Sequence, residues 1–109
     1  MISSDIIRGH LDAIILKLII EKDRYGYEIS KEISERTNNV FEIKEATLYA
    51  VFQRLEKKHF IVSYSGQITH GRTRKYYKIT ALGKEYFDEK LNEWKLTKEI
   101  IDTLLEEKK

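Results

Sequence analysis

The stretch EATLYAVFQRLEKKHFIVSYSGQITHGRTRKYYKIT, residues 45–80, changes its period midway. In its first half Leu48, Val51, Phe52 and Leu55 fall at i, i+3, i+4 and i+7, one face of a helix starting near Lys44 or Glu45. On a 100° wheel Ala46, Tyr49, Ala50, Gln53 and Lys57 then point away from that stripe. This outer face is small, polar and nearly free of acid. From Phe60 the period is two: Phe60, Val62 and Tyr64 alternate with Ile61, Ser63 and Ser65. Lys75 to Thr80 alternates again, and a loop from Gly66 to Gly71 is expected between the runs. Two β-rich runs around a glycine-bounded loop predict a hairpin.

Working outward, Thr80 is a good N-cap for a last helix reaching toward Lys109. Phe87, Leu91, Trp94, Lys98, Ile101 and Leu105 recur at spacings of four and three, a coiled-coil-like seam. So long a helix cannot lie wholly against a small core, and its far end must pack on another molecule or fray. On the N-terminal side, residues 5–22 read as one helix. Its apolar positions, including Ile7, Leu11, Ile14, Ile15, Leu18 and Ile19, cover more than a surface stripe. That predicts a partner chain over part of it; a central helix wrapped by its own domain is the alternative. Glu21 to Gly26 reads as a polar turn. A second helix follows from about Tyr27 to Arg36, ended by Thr37, Asn38 and Asn39.

The chain has 109 residues, room for one domain, with 41% hydrophobic and 35% charged residues. It has no cysteine, which excludes disulfides, thiolate nucleophiles and cysteine-ligated zinc. It has no proline, and its five glycines are too few for a flexible linker. The apolar run Leu11 to Ile20 contains Lys17 and is half a membrane span, so no membrane partner and a cytoplasmic location are expected. The net charge of +2 is uninformative, but its distribution is not. Residues 59–80 hold Arg72, Arg74, Lys75 and Lys78 and no acid, a local field suited to phosphate. The histidines, His10 and His70 among them, do not form a metal site by spacing, and no cofactor is called for. There is no glycine-rich phosphate loop, nucleophile elbow or paired nucleophile and base, so no enzyme is expected.

Three helices, a β-hairpin and a long helix make an α+β, mostly α fold: a winged helix-turn-helix with a dimerisation arm. The third helix enters the major groove and the hairpin is the wing. Residues 1–80 are expected to form the DNA-binding domain, and residues 81–109 the C-terminal dimerisation helix of the same compact unit. The segment ATLYAVFQRLEKKHFIVS (Ala46 to Ser63) resembles the recognition helix and first wing strand of PadR-type transcriptional regulators. GRTRKYYKITALGKEYF (Gly71 to Phe87) is similar to that family's wing tip, second strand and last-helix start. RGHLDAIILKLI and YGYEISKEI resemble its first two helices. The resemblance is colinear from about Arg8 to Phe87, and the short C-terminus resembles the branch ending in one long helix. Two positions depart from the pattern: Ala50 where proline often follows Leu-Tyr, and His59 where the helix-to-wing turn often has glycine. Histidine reaches the left-handed region less easily than glycine.

The resemblance implies a homodimeric bacterial transcription factor, usually a repressor, on an inverted-repeat operator in double-stranded DNA. Its last helix would pack on the first helix of the other subunit, with Leu11, Ile15, Phe87, Leu91, Trp94, Ile101 and Leu105 at the dimer interface. The expected DNA contacts are Arg72, Arg74 and Lys75 on the wing, where a guanidinium binds phosphate bidentately or enters the minor groove. To these are added Tyr49 to phosphate, Lys44 and Thr47 near the recognition-helix start, and Gln53 as an adenine reader. Tyr27 lies at a helix N-terminus, where free N–H groups favour phosphate. Similar family members can hold a planar aromatic ligand in a hydrophobic pore between subunits, which makes Trp94 the candidate effector contact. A different class of reading is a DNA-partitioning or protein-interaction adaptor built on the same module. The basic wing argues against a purely protein partner.

Overall fold

The computed structural model of the chain describes residues 4–69 and 71–106; for residues 4, 5, 67–69 and 72 it describes the backbone. The element order is α1 (Ser4–Arg8), α2 (Leu11–Glu21), β1 (Arg24–Tyr25), α3 (Gly26–Arg36), α4 (Glu45–Lys57), β2 (Ile61–Thr69), β3 (Arg72–Ile79) and α5 (Ala81–Leu105). The strands form one antiparallel sheet in the order β1-β3-β2. Among the described residues no helix is long and apolar enough to cross a membrane.

The helical stripe of α4 becomes its buried face. Leu48, Val51, Phe52 and Leu55 join Leu11, Ile15, Leu16, Leu18 and Ile19 of α2 and Ile29 and Ile33 of α3 in the core. Tyr77 closes it from the sheet, its ring stacked on Phe52 at 4.0 Å. Burial pushes the Tyr77 phenol up to about 12, with the Glu56 carboxylate adding to the effect. Leu11 and Ile15 are 4% and 0% exposed within the chain itself. This corrects their expected place at a dimer interface: their own domain covers α2, and a side chain already buried has no surface left to offer a partner.

The single helix expected over residues 5–22 is broken at Gly9 and His10. Glycine weakens a helix interior. His10 instead donates its N–H to Ile7 O and accepts at its carbonyl from Ile14 N, which ends one helix and starts the next. The expected polar turn at residues 21–26 contains β1, whose Arg24 and Tyr25 pair with Tyr77 and Tyr76. Two residues are too few to show a period.

The wing is longer than its sequence suggests. The strands run to Thr69 and from Arg72, which pair with each other, so residues 66–69 of the expected loop from Gly66 to Gly71 are strand. His70, expected at the wing tip, lies outside the described residues. Gly66 is a strand residue: a Cβ there would lie 2.2 Å from atoms of the Tyr76 ring. The glycine makes room for a cross-strand aromatic ring instead of a turn. A register shift between Ser65 and Ile68 absorbs the irregularity.

Helices α3 and α4 end alike. Asn39 N donates to Ser34 O and Asn38 N to Glu35 O; Phe60 N donates to Leu55 O and His59 N to Glu56 O. Both are Schellman motifs, with Asn38 at φ 52° and His59 at φ 63° in the left-handed position. The helix-to-wing turn is therefore made by a histidine. His59→Gly should stabilise the fold by up to about 1 kcal/mol, the left-handed cost of a Cβ less the extra chain entropy of glycine. A thermal midpoint that fails to rise would contradict this.

Glu21 ties three element ends together. Its carboxylate accepts from Arg36 at 2.6 and 3.0 Å and from Arg24 at 3.0 Å, with Lys17 Nζ 3.8 Å away. The Arg36 hydrogen bond first, and then its charge, hold the Glu21 carboxyl at about 2 against an ordinary 4.5, although desolvation opposes them. A carboxyl depressed in the folded state contributes stability above 4.5 that is lost as pH falls from 4.5 toward 2. The thermal midpoint should fall across that window, and less steeply in Glu21→Gln. Parallel curves for the two proteins would remove Glu21 from the acid response.

Thr80 caps α5 as expected, its Oγ1 accepting from Gly83 N at 2.9 Å. The same hydroxyl donates toward the carbonyls of His59 and Phe60 at 2.7 and 3.0 Å. The molecule measures 61 × 31 × 20 Å. Beyond its first turns α5 leaves the core: Phe87 and Leu91 are half-buried, but Trp94, Leu96, Ile100 and Ile101 are exposed. The helix ends at Leu105, and Lys109 lies outside the described residues.

Candidate nucleic-acid interface

The exposed face of α4 is the one the period assigns. Ala46, Tyr49, Ala50, Gln53 and Lys57 are all exposed, opposite the buried stripe. Lys44 is the exposed N-cap residue of α4. Thr47, one turn on, is half-buried; both border a hollow with Arg8, Phe41 and Ile43. Gln53 lies two turns further along the same helix and does not join that group.

A second cluster gathers at the start of α3. The Tyr49 hydroxyl reaches back over Gly26, where a Cβ would lie only 2.8 Å from it. Tyr27, the next residue, is 65% exposed. The Tyr25 and Tyr27 rings stack at 6.4 Å, and the Arg74 guanidinium lies over the Tyr25 ring at 4.4 Å. A guanidinium stacked by its face keeps its N–H edge free for a phosphate. Tyr27, Tyr49 and Arg74 thus come from three separate elements to one helix N-terminus. There the orphan N–H groups and the helix dipole favour an anion. Glu28 Oε1 already accepts from Tyr25 N at 3.3 Å, so one of those donors is satisfied from within.

The basic run of the wing does not act as one patch. Residues 72–75 are in β3, and successive strand residues face opposite ways. Arg74 shares a face with Tyr76, Tyr64 and Tyr25. The Tyr76 ring sits 5.4 Å from Tyr25 and 5.7 Å from Tyr64, whose hydroxyl donates to Asp23 at 2.6 Å. Lys75 is on the other face. Its ammonium is 3.6 Å from Glu56 of α4 and 5.5 Å from the centre of the Tyr77 ring. Glu56 also accepts from Ser63 Oγ at 3.0 Å, so it fastens α4 to both wing strands. The side chain of Arg72 lies outside the described residues.

Tyr25, on which Arg74 stacks, and Tyr76, which packs edge-on against Tyr25, are absent from the residues read off the sequence. Tyr76 was findable, because it is two residues from Arg74 on one strand. Tyr25 was not, because β1 has no readable period. Trp94, the candidate effector contact, is 42% exposed, with the His10 ring edge-on to it at 4.9 Å.

Comparison with known proteins bears on this arrangement. Residues 15–89 match the model of the transcriptional regulator PadR-like family. A protein from Lysinibacillus sphaericus, itself uncharacterized, is 68% identical over 106 residues, covering 97% of each chain. The solved structure of a transcriptional regulator from Clostridium thermocellum is 51% identical with a TM-score of 0.89, over 97% of this chain and 100% of that one. A PadR family transcription regulator from Clostridium difficile is 37% identical with a TM-score of 0.78, over 90% of this chain and 100% of that one. The sheet flanked by α3 and α4 and the long α5 are thus the winged-helix architecture of regulators and not of an enzyme, and the chain belongs to the PadR-like family of transcriptional regulators.

Proposed function

We propose that the protein is a cytoplasmic, homodimeric repressor that binds an inverted-repeat operator in double-stranded DNA. The observation that carries this is the convergence of Tyr27, Tyr49 and Arg74 on the start of α3, beside the exposed face of α4. The three groups take phosphate, which positions the domain. Lys44, Thr47 and Gln53 then face base edges in the major groove. Arg72 extends the wing's reach to a neighbouring phosphate. Lys75 contributes less than Arg74, because Glu56 partly neutralises it. Residues 1–80 act as the DNA-binding part and residues 81–109 as the dimerisation arm.

The arm's exposed apolar side chains support a second copy of the chain as its partner. Leu96, Ile100, Leu104 and Leu105 are 50–79% exposed. With Trp94 and Ile101 they spread over about half the circumference at 100° per residue, wider than a single coiled-coil seam. Phe87 and Leu91 continue the strip where α5 leaves the core. Truncation after Trp94 removes most of this surface and leaves the core of α2, α3 and α4 closed. The truncated chain should sediment as a folded monomer; a persistent dimer would contradict the assignment. In the dimer Trp94 borders the seam, the place for a small planar aromatic effector that lowers operator affinity by binding the DNA-free state better.

Selection of bound duplexes from a random pool tests the DNA reading. An enriched inverted repeat whose affinity falls steeply with salt supports it. A pool that stays random, with salt-insensitive weak binding, would favour a protein-interaction adaptor instead.

A further inference from the structure

Asp12 of α2 is bound on both sides by elements that the proposed function uses. Its Oδ1 accepts from the Arg54 guanidinium on α4, and its Oδ2 accepts from the Tyr86 hydroxyl on α5 at 3.2 Å. The Asp12 side chain is 18% exposed, while Arg54 is 45% exposed. Burial first, and then the Asp12 charge, push the Tyr86 phenol above its ordinary value. The Tyr86 ring lies flat on Phe60 at 4.2 Å and 15°, and Lys90 Nζ sits 5.4 Å from its centre. Phe60 directly follows the turn that ends α4, and its carbonyl accepts from Thr80 N at 3.1 Å.

One carboxylate therefore joins α2, α4 and α5, while Glu56 fastens α4 to the wing from the opposite side. A half-exposed ion pair contributes little to stability, and the apolar stripe of α4 is already buried without it. What the link supplies is orientation. It fixes the rotation of α4 against the first turns of α5, the helix that carries Trp94 and the arm.

We infer that Asp12 is a positioning residue that sets the pose of α4 against α5, so that a displacement of α5 changes how α4 reads DNA. The inference rests on the DNA-binding reading proposed above. The test uses the full chain and a duplex selected by the wild type. For Asp12→Asn, Tyr86→Phe and the double variant, the ratio of selected-duplex to random-duplex affinity is measured beside the thermal midpoint. Each single variant should lower the ratio about fivefold to tenfold, with random-duplex affinity unchanged. The double variant should lose no more than the larger single loss, because both break one link. Tyr86→Phe keeps the ring on Phe60, so it reports even where Asp12→Asn folds poorly. A ratio within twofold of wild type in both singles, or losses that add in the double, would make the link structural only and overturn the inference. Wild type that selects no duplex at all overturns the DNA reading and this inference with it.

Discussion

Gly83→Ala should cost about 3 kcal/mol or more, the upper range for forcing atoms into a packed site, and lower the thermal midpoint by more than 10 °C. A Cβ on Gly83 would lie 2.0 Å from the Phe60 carbonyl oxygen, 2.9 Å from its carbon and 2.8 Å from Ile79 Cδ1. The Ile79 tip can rotate away, but the Phe60 backbone cannot. It is held by the Schellman bond to Leu55 and by Thr80, whose hydroxyl also caps α5. Relief needs α5 to lift away from the wing base, which breaks that cap and the Phe60–Tyr86 stack together. Denaturant or thermal unfolding measures the loss. A variant within about 1 kcal/mol of wild type would show that α5 seats more loosely than its contacts imply.

The second large effect belongs to Arg74→Ala. In the proposed dimer two copies of Arg74 face the duplex. If each neutralises one phosphate, the slope of log K against log salt should shrink in magnitude by about 1.8. At 0.1 M salt that is a loss of about sixtyfold, taking 1 M as the point where the electrostatic contribution vanishes. The loss should be nearly equal on operator and random duplex, because phosphate contacts carry no direct sequence information. Thr47→Ala should differ in kind, costing about 1–3 kcal/mol per half-site on the operator only. Folding should survive Arg74→Ala, since the side chain stacks on the half-buried Tyr25 and supports none of the core. An unchanged salt slope with lost sequence preference would mean that the wing reads bases in the minor groove.

Much of the fold was legible because two periods carry it. The four apolar residues of α4 are all buried, and Thr80 caps α5, because stripe and cap are local facts of sequence. What was not legible depends on residues far apart in the chain. Gly66 looks like a turn glycine until Tyr76 is placed across from it. Arg24 and Tyr25 look like a polar turn until β3 supplies their pairing partners. Leu11 and Ile15 look like interface residues because helical hydrophobicity does not say which chain covers it. Near the candidate site, charge alone joins Arg74 and Lys75, while the strand's alternation divides them between Tyr25 and Glu56. Gly83 carries no signal in sequence either, because its role is a contact with a carbonyl 23 residues earlier.

In the proposed complex two copies of the α4 and wing surface grip one duplex. Hydroxyl-radical footprinting of the full chain on its selected duplex tests this most directly. Two protected half-sites related by inversion are expected, their centres about one helical turn or ~10 bp apart on one face of the DNA. Protection in Arg74→Ala should weaken at the phosphates flanking each half-site and keep its register. A footprint over a single half-site, or over direct repeats, would rule out a two-fold dimer on the duplex.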